Sequence, residues 1–181
     1  TEVTKGIDQR GYASALEKQF TDICEGIFEN YKKASSVKSI DDCTVDDMLI
    51  DFKTTDIDKQ FKMPNLISID VFSKKVMLMD KNILYVFLTY SSEQRKVIDS
   101  HLYYTWELPW EHLAIQNLGK GQLQIKNMKN FINDIGNHST LSKDQWYREF
   151  AKQGKIFYNE LLITTEKRLE EWTERHKELL C

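Results

Sequence analysis

The chain has 181 residues, 41% of them hydrophobic and 29% charged, with only 7 Gly and 2 Pro; this is the balance of a globular chain long enough to bury a core, and it excludes collagen-like, low-complexity and disordered classes. A formal net charge of −3 excludes a uniformly basic coat for nucleic acid, so contact with a polyanion has to come from local charge. No apolar run approaches the ~18 residues of a membrane span, the opening TEVTKGIDQR carries no signal-peptide apolar region, and Cys24, Cys43 and Cys181 lack CxxC spacing, which argues against a disulfide framework or a zinc site and for a reducing cytoplasm.

No repeat or Pro/Gly/Ser-rich linker interrupts the chain, so residues 1–181 are read as a single domain. In chain order, Leu16, Phe20, Ile23, Ile27, Phe28 and Tyr31 recur at helical spacing, and the first helix is predicted within 12–35, closed by Ser35-Ser36. The period then changes to two, which predicts a β-hairpin over 40–53, Ile40–Val45 and Met48–Lys53 about an Asp46-Asp47 turn. Asp56 to Pro64 reads as a polar loop, and Asn65 to about Met79 as helical after Pro64. Ile83–Tyr90 (ILYVFLTY) predicts a central strand buried on both faces. Leu102–Trp106 reads as a further strand and Pro109–Leu113 as a short helix with Pro in its first turn. Within 116–130, Leu118–Asn127 predicts a Gly-flanked turn followed by an alternating strand. Ser142 N-caps a helical segment over 142–180, with breaks expected near Gly154 and Thr164-Thr165. The charge alternation of Glu166–Glu178 reads as a solvated face. Together these elements predict an α/β (α+β) domain built on a central mixed β-sheet flanked by helices.

The hairpin carries the chemistry. A two-residue turn at Asp46-Asp47 sets Val45 opposite Met48, Cys43 opposite Ile50 and Asp42 opposite Asp51; opposed residues point to the same side. Asp42, Asp51 and Lys53 then share one face, while Asp41, Cys43, Val45, Ile50 and Phe52 share the other, against the core. Two carboxylates at that distance repel unless a cation sits between them. Mg²⁺ takes one or two carboxylates and keeps several waters, and a neighbouring lysine completes a kit for phosphodiester hydrolysis. Two other features point to a polyanion. His112 to Asn133 holds Lys120, Lys126 and Lys129 but no Asp or Glu, and Gly119-Lys120-Gly121-Gln122 lets a backbone approach a ligand closely, with Gln122 and Asn127 able to read base edges. In Phe61-Lys62-Met63-Pro64-Asn65, Lys59 and Lys62 suit phosphates and Asn65 suits a base.

Asp42…Asp51-Phe52-Lys53 resembles the PD-(D/E)xK nuclease signature. Asp51-Phe52-Lys53-Thr54-Thr55 resembles the DxKT(T) segment of the EcoRV, HincII and HpaI restriction endonucleases, Lys62-Met63-Pro64-Asn65-Leu66-Ile67-Ser68 is similar to the K/Q-x-P-N-I-x-S segment of the HpaI and HincII members, and Leu118–Asn127 is similar to the LGxGQIQIKD recognition segment of the HpaI type. The likeness runs in order from about residue 12 to 160 and includes a C-terminal helix with Trp146, Tyr147 and Phe150.

The resemblance implies a restriction-endonuclease-like fold and a type II, Mg²⁺-dependent, homodimeric endonuclease that cuts a short palindrome in double-stranded DNA, on the HpaI pattern GTTAAC with blunt ends. It implies that Asp42 and Asp51 hold Mg²⁺, that Lys53 orients or activates the attacking water, and that Glu17 is the helix Glu near the metal. It implies DNA contacts from Thr54, Thr55, Lys59, Lys62 and Asn65 near the centre of the site and from Lys120, Gly121, Gln122, Gln124 and Lys126 along the groove. Two departures bear on this. The nine-residue step from Asp42 to Asp51 is shorter than in those relatives, which leaves Asp41 as a second candidate for the first ligand, and less chain precedes the hairpin, which implies a reduced dimer surface around the first helix. The alternatives are another PD-(D/E)xK nuclease, such as a repair nickase or junction resolvase, and a catalytically silent DNA-binding or protein-interaction domain.

Overall fold

The structure is a computed structural model that describes residues 9–34, 40–59, 65–116 and 121–180. In chain order the elements are α1 (Gln9–Ile27), β1 (Tyr31–Lys33), β2 (Cys43–Val45), β3 (Met48–Asp56), β4 (Asn65–Ser68), α2 (Ile69–Phe72) running into a π-helical turn Ser73–Met77, β5 (Asn82–Ser91), β6 (Lys96–Tyr104), 3₁₀ turns at Thr105–Glu107 and Trp110–His112, β7 (Leu113–Gln116), β8 (Gln122–Ile125), α3 (Met128–Asn133), α4 (Lys143–Arg175) and α5 (Lys177–Leu180). A five-stranded mixed sheet has the order β1-β2-β3-β5-β6, and a separate three-stranded sheet the order β4-β8-β7. None of the described helices is long and apolar enough to cross a membrane.

The hairpin forms in the predicted register, with Cys43 opposite Ile50 and Val45 opposite Met48. Its turn is closed at Asp46, which takes a positive φ of 53° and accepts a hydrogen bond from Asn30 Nδ2 at 2.7 Å. The strand runs on past Lys53 to Asp56, because β3 gains a parallel neighbour, β5, along its whole length. β5 is the doubly buried central strand that its composition predicts. Ile83, Tyr85 and Phe87 enter the main core, and Val86 and Leu88 enter a smaller one with Cys43, Val45, Ile50 and Phe52. The smaller core is roofed by α1 through Phe20 and Cys24. The main core lies between the two sheets and the base of α4, where Trp146 is fully buried and donates from Nε1 to the Leu108 carbonyl at 2.8 Å.

Several predicted elements are corrected. The first helix ends at Ile27, and Tyr31–Lys33 is an edge strand paired with Cys43–Val45. Of the apolar positions read from the sequence, Leu16 and Phe20 face inward, with Cys24 beside them, while Ile23, Ile27 and, just past the helix, Phe28 are exposed. Asn65–Ser68 is a strand rather than the start of a helix, because β8 offers it a partner. The strand expected at Leu102–Trp106 is the end of the longer β6, whose last residues give way to a 3₁₀ turn. β8 does not alternate; Leu123, Gln124 and Ile125 are all buried, since it is the middle strand of its sheet. The C-terminal helix is unbroken over 33 residues. Ser142 and Gln145 form a reciprocal capping box at its start, and the Thr164 and Thr165 hydroxyls bond back to the carbonyls of Glu160 and Leu161 instead of ending it.

Candidate active site

The site is built at the edge where the hairpin leaves the five-stranded sheet. On β3 the side chains alternate, so Ile50 and Phe52 enter the smaller core while Asp51 and Lys53 point to the opposite face. Just before β2, the Asp42 N–H donates to the Ile50 carbonyl at 2.8 Å, and the Phe52 N–H donates to Asp42 Oδ2 at 2.7 Å. The Asp42 side chain therefore completes the strand ladder with a carboxylate oxygen, which fixes its orientation next to Asp51. Asp41 Oδ2 accepts from the Thr44 hydroxyl at 2.9 Å. Asp41 also lines the cleft, but it is Asp42 whose charge acts on both Asp51 and Glu17.

These residues line one cleft of about 270 Å³, walled on one side by Asp41, Asp42, Asp51 and Lys53 and on the other by Ile67 and Ser68 of β4 and Gln122 of β8. Lys53 Nζ lies 2.7 Å from Asp51 Oδ2. Asp51 is only 7% exposed. Burial pushes its carboxyl up to about 7, with the Lys53 ammonium pulling against that shift and the Asp42 charge adding to it. Glu17, on α1, is raised as well, first by burial and then by Asp42, against the lowering effects of Lys53 and of a hydrogen bond with Thr54. Asp41, Asp42 and Asp51 thus share the cleft with one lysine, Lys53, while Glu17 stands on α1 within reach of the Asp42 and Lys53 charges. Among the described residues no three His, Cys, Asp or Glu side chains form a ready-made metal cage. The Asp42–Asp51 pair nonetheless fits a hard cation that takes one or two carboxylates and fills its remaining positions with water. A buried carboxyl held near 7 is the group that such a cation would stabilise as an anion.

The other predicted site residues divide. Gln122 joins the cleft directly. Gly121 beside it is buried with φ +66°, and a Cβ there would stand 2.8 Å from both Ile69 Cδ1 and Phe157 Cε1. Thr54 sits with Glu17 on the α1 side of the sheet, and Thr55 is buried. Asn65 Oδ1 accepts from Gln124 Nε2, and Gln124 is 3% exposed, so this pair holds β4 to β8 and the Gln124 amide is turned inward. Lys59 is exposed and lies 3.8 Å from Asp56 Oδ2. Lys126 faces a different cleft, with Trp110, Glu149 and Gln153. Lys62 and Lys120 lie outside the described residues. Sequence reasoning did not anticipate Ser68 and Val71 in the cleft wall. Reading Asn65–Ser68 as a strand in register with β8 would have brought Ser68 opposite Gln122.

Gly121→Ala is expected to cost about 1–3 kcal/mol, since the left-handed conformation and the close approach penalise any side chain. Urea unfolding of the variant against the parent checks this.

No family model matches the chain, and no curated protein matches it.

Proposed function

We propose that the chain is a Mg²⁺-dependent type II endonuclease of the PD-(D/E)xK kind, hydrolysing phosphodiester bonds in a short palindromic double-stranded DNA site as a homodimer in a reducing cytoplasm. The observation that carries this reading is the single cleft in which Asp42, Asp51 and Lys53 face Gln122 from a second sheet. Phosphodiester chemistry needs the first three, and base readout needs a side chain such as the fourth.

In this reading Asp42 and Asp51 hold the Mg²⁺, which when bound supplies Lewis acidity and an acidified water. Lys53 Nζ, anchored on Asp51, directs its remaining N–H groups toward the attacking water and the phosphoryl oxygens on which charge accumulates. Glu17, with its carboxyl raised by burial and by Asp42, stands on α1 within reach of the Asp42 and Lys53 charges. The Gln122 amide offers a donor and an acceptor side by side, the pattern that pairs with the N6/N7 edge of adenine. That pairing suits an A·T-bearing site such as GTTAAC.

The test is digestion of plasmid and phage DNA by the purified chain with Mg²⁺, with EDTA, and with Asp51→Ala. Discrete Mg²⁺-dependent fragments, absent in the variant, are the expected result, and sequencing their ends gives the site and the cut position. A smear or nicking would replace this reading with a repair nickase or junction resolvase, and intact DNA with folded protein would overturn the nuclease reading. Gln122→Ala is expected to cost about 1–3 kcal/mol of discrimination at one base pair, seen as cleavage of sites that differ at that pair alone.

A further inference from the structure

Each of the two sheets has two outer strands, and three of these four carry a device against pairing with a further strand. β1 ends in Lys32-Lys33, and β4 and β6 each slip register against the inner strand. β7 has neither device. Leu113-Ala114-Ile115-Gln116 holds no charge and no proline, and it pairs with β8 without a shift. The ladder decides which of its backbone groups face outward. The Lys126 N–H donates to the His112 carbonyl at 2.7 Å, so residues 112, 114 and 116 bond toward β8, while 113 and 115 face the other way. The Leu113 N–H is taken by the Trp110 carbonyl. The Leu113 carbonyl and both backbone groups of Ile115 have no strand partner among the described residues. This edge forms one wall of a cleft of about 280 Å³, with α4 as the other. Trp110 lines the cleft, and its Nε1 is buried without a hydrogen-bond partner, a donor that calls for an acceptor. From α4 come Glu149, Gln153, Ile156 and Glu160. Steps of four, three and four set them on one face of the helix over roughly 16 Å.

We propose that the cleft between β7 and α4 is a docking site for an extended peptide segment of another protein, which adds to β7 as a further strand. An added strand satisfies the outward groups of Leu113 and Ile115 by main-chain pairing and brings a row of carbonyls, one of which accepts from Trp110 Nε1. The walls also specify its side chains. Leu113 and Ile115 turn toward the main core, which Phe157 of α4 enters as well. Same-side residues of a strand lie about 6.6 Å apart, so three of them span ~13 Å. On this side they meet Ile156, which is 42% exposed, between the carboxylates of Glu149 and Glu160. The fitting segment therefore carries an apolar residue with a basic residue two positions to either side. Two carboxylates against the single ammonium of Lys126 repel a phosphate backbone, which decides for a peptide over a nucleic-acid strand. The site is separate from the cleft of Asp51 and Lys53, and the proposal does not rest on the chemistry given to that cleft.

The experiment is a fluorescence-anisotropy titration of an end-blocked, labelled peptide, Thr-Lys-Thr-Val-Thr-Lys-Thr, with the full chain in the absence of DNA and metal. The expected result is saturable binding that weakens about tenfold or more when the peptide's valine is N-methylated, since that residue faces β7 with its N–H. Glu149→Lys/Glu160→Lys should lose the peptide by a similar factor and take up in its place a peptide with Glu for both Lys, its near-UV circular dichroism unchanged. Absence of saturable binding, equal binding of the N-methylated peptide, or a double variant that binds the basic peptide as the parent does would overturn the inference. Binding that appears only once residues 1–8 are removed would overturn it in favour of the chain's own N-terminal segment, and displacement of the peptide by single-stranded DNA in favour of a nucleic acid. None of these readouts involves cleavage, so failure here and failure of the nuclease reading are separate results.

Discussion

Asp51→Asn is expected to abolish cleavage while making the metal-free protein more stable at neutral and alkaline pH. The carboxyl is buried and its folded value is raised from 3.8 to about 7. Between those two values the unfolded chain has released its proton while the folded chain keeps it. Stability therefore falls as pH climbs through that window and levels off above it. Asparagine has the shape of the protonated acid and carries no proton to lose, so the variant should lack this decline. The raised value already includes the attraction of Lys53, so the gain at about pH 8 is a net one, roughly 2–4 kcal/mol. Urea unfolding of parent and variant at about pH 5 and pH 8 decides the matter. Equal stability differences at the two pH values would show that Asp51 does not carry the burden assigned to it. The same substitution removes one of the two anions proposed to hold Mg²⁺, so activity and stability should move in opposite directions, as they do where a site is held in a state that the fold alone would not choose.

Lys53→Met should reduce cleavage by about 10²–10³-fold, the usual loss on removing one charge-stabilising donor from a reaction centre, while leaving DNA retention on filters largely intact. A second signature separates this role from a merely structural one. Lys53 is the group that lowers the Asp51 carboxyl in the metal-free protein, so its loss drives that carboxyl further up. The fall in metal-free stability with rising pH should therefore extend to higher pH in Lys53→Met than in the parent, which urea unfolding across the pH range checks. A decline that ends at the same pH as in the parent would show that Lys53 does not act through Asp51.

The sequence made the chemistry of the hairpin readable because a tight turn fixes register by counting. Once Asp46-Asp47 is the turn, Cys43 must face Ile50, and Asp51 must turn away from Phe52. The central strand was equally plain, since an apolar run such as Ile83–Tyr90 leaves no polar face to expose. The same local signals misread other segments. The apolar spacing of α1 continues to Tyr31, although Tyr31–Lys33 is claimed by an edge pairing with β2. Pro64 announces a helix, but Asn65–Ser68 is drawn into a ladder with a strand more than fifty residues away. A pairing of that range leaves no periodic trace in four residues. For the same reason the burial of Asp51 could not be seen in advance. It results from β5 lying beside β3 and from β4 and β8 closing the opposite wall, and neither is a property of the hairpin. Gln124 shows the converse. Its position suggested base contact, whereas the middle place of β8 turns its amide inward to Asn65.

The two walls of the cleft belong to sheets that share no strand pairing. Asp51 and Lys53 ride on one, and Ser68 and Gln122 on the other. The gap between them is set by side-chain packing around Phe72, Trp146 and Phe150, not by a hydrogen-bonded ladder. The cleft is therefore a joint, and a molecule that touches both walls acts as a strut across it. Such a strut would bridge two sheets that share no strand pairing and are otherwise joined through side-chain packing in the main core.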